Sequence, residues 1–85
     1  MNQQELLELI EQAAADGRTI LHLSYENLTK LPPEIGQLTN LTSLDLRKNQ
    51  LKRLPDTLQQ LTQLKELDLS GNPGLGIFGR SVGTN

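Results

Sequence analysis

Two groups of residues in this sequence have types and spacings that could carry chemistry. The first is "GLGIFGRS", residues 74–81. Gly74, Gly76 and Gly79 satisfy G-x-G-x-x-G, and the stretch nearly satisfies G-x-x-x-x-G-K-[ST], with Arg80 at the lysine position. Loops of this kind cradle phosphates with backbone N–H groups. The second group is His22 with Asp45 and Asp68, a histidine and two carboxylates that general acid–base catalysis could use if the fold stacked them. His22 is the single histidine and cysteine is absent. A His/Cys zinc site and a disulfide are therefore excluded, and no metal or cofactor is expected.

Both groups depend on the elements that would hold them. A phosphate loop joins a buried strand to a helix, so that the helix N-terminus faces the anion. Here only Val82 to Asn85 follow the motif, too few for a helix. Arg80 presents a planar fork where a tight loop needs the compact charge of a lysine. No acidic residue stands about 20 positions on to hold a ribose. A run with five of the chain's seven glycines between positions 71 and 83 meets glycine patterns by composition, so nucleotide binding is the remote alternative.

With 85 residues and a formal charge of −2, the chain is one small domain whose stability is limited by core size. The charge balance argues against nucleic-acid and membrane-surface binding. Tyr25 and Phe78 are the only aromatic residues, too few for a base-stacking platform. The opening "MNQQELLELIEQ" carries Glu5, Glu8 and Glu11 and no basic residue, the reverse of a secretory signal. The expected location is the cytoplasm, where the sequons at Asn27 and Asn40 are ordinary loop residues.

The dominant feature is a repeat. At an offset of 23, "LTSLDLRKNQLKRLPDTLQQLTQ" (41–63) falls on "RTILHLSYENLTKLPPEIGQLTN" (18–40), and "LKELDLSGNP" (64–73) starts a third, partial copy. Leu21, Leu44 and Leu67 coincide, as do Leu23, Leu46 and Leu69. The alternation in L-x-x-L-x-L predicts a short strand with one buried face. Asn49 and Asn72 follow it, where a small amide can bond backbone at the turn. Pro32, Pro33 and Pro55 then deny donors to any sheet, so the return arm is not a central strand. One such coil cannot bury its own leucines, but stacked coils can. The fold class expected is an α/β solenoid with a short parallel sheet.

The pattern L-x-x-L-x-L-x-x-N-x-L-x-x-L-P resembles the leucine-rich repeat in its short, intracellular-type unit. The resemblance covers residues 18 to about 73. Arg18 and Glu26 depart from it where a leucine and an asparagine belong, as suits a terminal unit. The arrangement of an acidic helix, D-G-x-T-x-L-x-L and coils ending "LPPEIGQLTNL" is also similar to the N-terminal repeat region of bacterial Roco-type proteins. In that family repeats precede a GTPase domain, which lies outside this chain, so that activity is not carried over.

The flanks differ from the repeats. Residues 1–17 read as an N-terminal capping helix, with Asn2 and Glu5 as a capping box, Leu6, Leu7, Ile10, Ala13 and Ala14 on the apolar face, and Gly17 at the stop. Residues 74–85 form a glycine-rich tail in which Gly74 stands at the expected leucine and Leu75 arrives one place late. Leu75, Ile77, Phe78 and Val82 need cover. They can fold back as a cap, remain disordered, or pack against a second copy of the chain.

The leucine-rich repeat resemblance implies that the strands line a concave face with the non-leucine positions pointing into it. Four columns follow: Ile20, Ser43 and Glu66; His22, Asp45 and Asp68; Ser24, Arg47 and Ser70; Tyr25, Lys48 and Gly71. Aspartate in L-D-L is a common filling of this repeat, so His22, Asp45 and Asp68 are read as surface residues and not as an acid–base set. Tyr25, Arg47 and Lys48 are the better contact candidates, since tyrosine and arginine are favoured at interfaces. The expected function is a non-enzymatic protein-interaction module whose partner meets the concave face. The alternative is a structural unit that dimerises through its last, uncapped coil.

Overall fold

A computed structural model of the chain describes residues 1–78 and 82–83, with side chains through Leu75. The first element, α1, spans Gln3–Asp16. Its capping box is closed on both sides: Glu5 N donates to Asn2 Oδ1 at 2.8 Å, and Asn2 N donates to Glu5 Oε1 at 2.9 Å. Gly17 ends it in the left-handed region (φ 63°), with Arg18 N donating back to the Ala13 carbonyl at 3.1 Å. Leu6, Ile10 and Ala13 are buried, and Leu9 and Ala14 pack against them. The sequence reading put Leu7 on this face instead of Leu9. A 3.6-residue period favours 6, 9, 10, 13 and 14, and leaves Leu7 half-buried on the flank.

Three strands follow: β1 Ile20–His22, β2 Ser43–Asp45 and β3 Glu66–Asp68. They are parallel and adjacent in chain order, with Ile20 opposite Ser43 and Ser43 opposite Glu66. Each partner thus stands 23 residues further along. The ladder runs past the strands: Leu23 N reaches the Asp45 carbonyl at 2.8 Å, and Lys48 N reaches that of Ser70 at 2.8 Å. A two-residue strand, β4 (Val82–Gly83), pairs antiparallel with β3, Val82 opposite Leu67.

The return arms contain single turns of 3-10 helix, η1 over Pro33–Gln37 and η2 over Asp56–Gln60. A proline stands just before each, Pro32 and Pro55, and Pro33 opens η1 itself, where its fixed φ and missing donor suit a first turn. Their bonds repeat at the same offset: Ile35 N to Pro32 O and Leu58 N to Pro55 O, both 3.1 Å. The arms pack at backbone distance. A Cβ on Gly36 would lie 2.8 Å from the Thr57 carbonyl, while Thr57 Oγ1 donates to the Pro33 carbonyl at 2.6 Å. A third turn, η3 (Pro73–Phe78), begins directly after Asn72, six positions earlier in the repeat than η2 does. This early turn carries Leu75 back against the core.

One core runs from α1 through all three coils. Asn49 and Asn72 are its buried polar residues, 3% and 0% exposed. Asn49 Oδ1 accepts from the Glu26 and Leu28 amides at 3.0 Å, and its Nδ2 donates to the Leu23 carbonyl at 2.8 Å and the Leu46 carbonyl at 3.0 Å. Asn72 repeats this one coil on, accepting from Leu51 N at 3.1 Å and donating to the Leu46 and Leu69 carbonyls at 2.8 and 2.9 Å. Each amide bonds its own coil to the one before it, so the stack is tied along its turn as well as along its sheet.

Candidate functional site

The strand pleat sorts side chains by parity. Leu21, Leu44 and Leu67 point to the core, and Ile20, His22, Ser43, Asp45, Glu66 and Asp68 take the other face. Ile20 is 46% exposed there. The structure brings the predicted second column together and adds Arg47 to it. Arg47 grips Asp45 with both ends of its fork, Nε to Oδ1 and Nη2 to Oδ2, each at 3.0 Å. Its own backbone N–H also donates to Asp45 Oδ1 at 3.1 Å, and its Nε lies 3.6 Å from Asp68 Oδ2. His22 Nδ1 is 3.8 Å from Asp45 Oδ2. Asp68 accepts from the Ser70 hydroxyl at 2.7 Å and the Ser70 amide at 3.1 Å.

This geometry sets the electrostatics. Burial pushes the Asp45 carboxyl up, but hydrogen bonds from the Arg47 side chain and backbone outweigh it, so its pKa is lowered from the ordinary carboxylate value. The Arg47 pKa is raised in turn by its bond to Asp45. A carboxylate held ionised and saturated with donors is a poor proton donor. The cluster is a fixed arrangement of charge, with an arginine clamped across two stacked aspartates.

The fourth column is not strand. Tyr25 (φ 60°), Lys48 (φ 58°) and Gly71 (φ 77°) all stand in the left-handed region, where the chain leaves the sheet for the asparagine turn. Glycine is at ease there, and tyrosine and lysine are not. Tyr25 is nonetheless 69% exposed, projecting at the edge of the strand face.

The repeated strand, the asparagine ties and the returning arms recur at one spacing, and the Leucine rich repeat family pattern matches residues 19–73. A further Leucine Rich Repeat pattern matches residues 63–84. The chain belongs to the leucine-rich repeat family. Leucine-rich repeat domains generally mediate protein–protein interaction and are typically non-enzymatic.

Within this leucine-rich repeat protein the remaining predicted residues are placed as follows. Glu66 and Lys48 are exposed on the strand side. Leu75 is half-buried against the core, while Ile77 and Phe78 lie in η3 and Val82 in β4, their side chains outside the described residues. In the glycine motif, Gly74 and Gly76 fall inside η3 and not in an open loop, and Gly79 to Ser81 lie outside the described residues. Among the described residues no three of the His, Asp and Glu side chains converge as a metal site, and no helix is long and apolar enough to cross a membrane. Sequence reasoning missed the Arg47 clamp. The signal was present: Asp45 and Arg47 stand two apart just where a strand ends, so they share a face.

Proposed function

We propose that this leucine-rich repeat protein is a non-enzymatic interaction module that receives a partner protein on its exposed strand face. The observation that carries the reading is Tyr25. A large aromatic side chain stands mostly in solvent at a left-handed position that the third coil gives to glycine. It contributes little to the core, and tyrosine is among the residues that dominate interface energetics. Beside it Arg47 is held in one orientation by Asp45, so less side-chain entropy is lost when it meets a partner. Ile20 adds apolar area, and Glu66 and His22 add polar rim. Three short strands about 4.8 Å apart fall short of the roughly 800 Å² per partner of a standard interface. The contact is therefore weak or exchanges quickly.

The test is site-specific photo-crosslinking in the source cell, with the crosslinker in place of Tyr25 and, as control, in place of Gln12 on α1. A protein captured from position 25 alone is then purified and titrated. Tyr25→Ala and Arg47→Glu should each weaken it at least tenfold. Unchanged affinity in both would overturn the assignment of this face.

A second reading has its own support. Leu64 and Leu67 of the last coil are 8% and 9% exposed, whereas Leu41 and Leu44 one coil earlier are 0% and 1%. Leu58, Leu61, Leu64 and Leu67 line a depression of about 260 Å³ at that end. A second copy packed there would make a dimer. Light scattering over a wide concentration range decides it: a dimer lost in Leu58→Glu or Phe78→Glu supports self-association, and a monomer throughout overturns it.

A further inference from the structure

Between the asparagine turns and the 3-10 helices, away from the strand face, the chain forms a groove. Its first part, of about 500 Å³, is lined by Thr29, Lys30 and Leu31 of one coil and Lys52, Arg53, Leu54 and Pro55 of the next. A contiguous part of about 360 Å³ shares Lys52, Arg53 and Leu54 and adds Gly74 and Leu75. The floor is apolar: Leu54, Pro55 and Leu75 are each half-buried. The rim is cationic, and no carboxylate lines either part. The offset of 23 puts Lys30 and Arg53 at the same position of adjacent coils, so two like charges are stacked by the repeat itself. Among the described residues, none of Lys30, Lys52 and Arg53 is in an ion pair.

We infer that this groove is a second docking site, and that its occupant is a short segment of a partner protein carrying bulky apolar side chains flanked by carboxylates. The apolar floor takes the side chains, and Lys30, Lys52 and Arg53 take the flanking charge. The α1 helix of another copy does not match: its exposed carboxylates Glu5, Glu8 and Glu11 bracket Leu6, Leu9 and Ile10, which face their own core. An anionic membrane matches poorly, because three cations fall below the four to eight that such surfaces recruit, and an apolar floor between them would stay unfilled.

The probe is a fluorescein-labelled peptide with aspartates and glutamates on both sides of a central Leu-Phe pair, followed by anisotropy at low and physiological salt. Binding in the micromolar range is expected, weakening as salt rises. Lys52→Glu and Arg53→Glu, both exposed and checked for native circular dichroism, should each weaken it at least tenfold, and a peptide with Ser-Ser at its centre should lose binding to a similar degree. Tyr25→Ala should leave it unchanged, which separates this groove from the strand face. The inference is overturned if no binding occurs up to about 1 mM, or if the Ser-Ser peptide binds as well. It is also overturned if Tyr25→Ala abolishes binding, or if phosphatidylserine vesicles bind the protein where the peptide does not.

Discussion

Asn49 is almost fully buried, and its amide serves two coils at once. Asn49→Ala removes the acceptor of the Glu26 and Leu28 amides and the donor to the Leu23 and Leu46 carbonyls. These losses are unequal. Leu46 O keeps the Asn72 amide at 2.8 Å, and Glu26 N is only partly buried. Leu28 N and Leu23 O are buried and lose this partner outright. At about 1–3 kcal/mol for each buried group left unsatisfied, the expected loss is about 2–6 kcal/mol. A domain of this length has a total stability of roughly 4–13 kcal/mol, so the variant should lose about half of it, and its urea midpoint should fall by about half. Asn49→Asp separates hydrogen bonding from volume. The carboxylate can still accept from both amides but faces the Leu23 and Leu46 carbonyls without a donor. Burial and those carbonyls raise its pKa, so Asn49→Asp should regain stability as pH falls and a proton supplies the missing donor. Urea unfolding followed by circular dichroism at pH 7 and pH 4 measures both. A loss under about 1 kcal/mol for Asn49→Ala would refute the claim that the amide ties the coils together.

Three further outcomes test other parts of the account. Gly36→Ala should destabilise by about 1–3 kcal/mol in urea melts, because its Cβ would meet the Thr57 carbonyl at 2.8 Å and force the two return arms apart. Gly71→Ala should cost about 1–2 kcal/mol at φ 77°, whereas Lys48→Gly, at φ 58°, should be neutral or mildly stabilising in the same assay. Asp45 has a lowered folded pKa, so its contribution is present above the unfolded carboxylate value near 4 and is lost as pH falls through the lower folded one. Asp45→Asn should therefore flatten the decline of the melting temperature between pH 5 and pH 2, and only modestly, because the half-exposed Arg47 lets solvent screen the pair.

The repeat made most of the fold legible. Coincident leucines at one offset force parallel strands in register, because a slip of one residue would turn Leu21 and Leu44 out to solvent. The buried asparagines were legible for a similar reason, since a turn that leaves a sheet needs groups to satisfy its backbone. The 3-10 turns were not foreseen. The prolines announced only that no sheet bond could form there, and several backbone shapes meet that condition. Leu9 was misplaced against Leu7 because the two stand on either side of Leu6 and Ile10 on the helix, and burial separates them only once the coils are in place. The early turn after Asn72 was half-legible: Leu75 arriving one place late marked a change of path without giving its direction.

The candidate sites were harder to read, and stacking explains why. A repeat fixes its leucines and asparagines and multiplies whatever stands between them, so like charges recur about 5 Å apart, where they repel by roughly 0.8 kcal/mol in water. Asp45 and Asp68 are short and cannot move away, and the chain answers with Arg47 lying across both. That cross-strand bond depends on a side chain from a different column, which no single column displays. Lys30 and Arg53 meet the same geometry with long stems that can splay into water, so no internal counter-ion is required and none is in place among the described residues. The aspartate column is bridged within the fold by Arg47 and belongs to a surface already shaped. The cationic column is left with its charge unspent beside an apolar floor, and a partner's carboxylates can complete it where the chain does not.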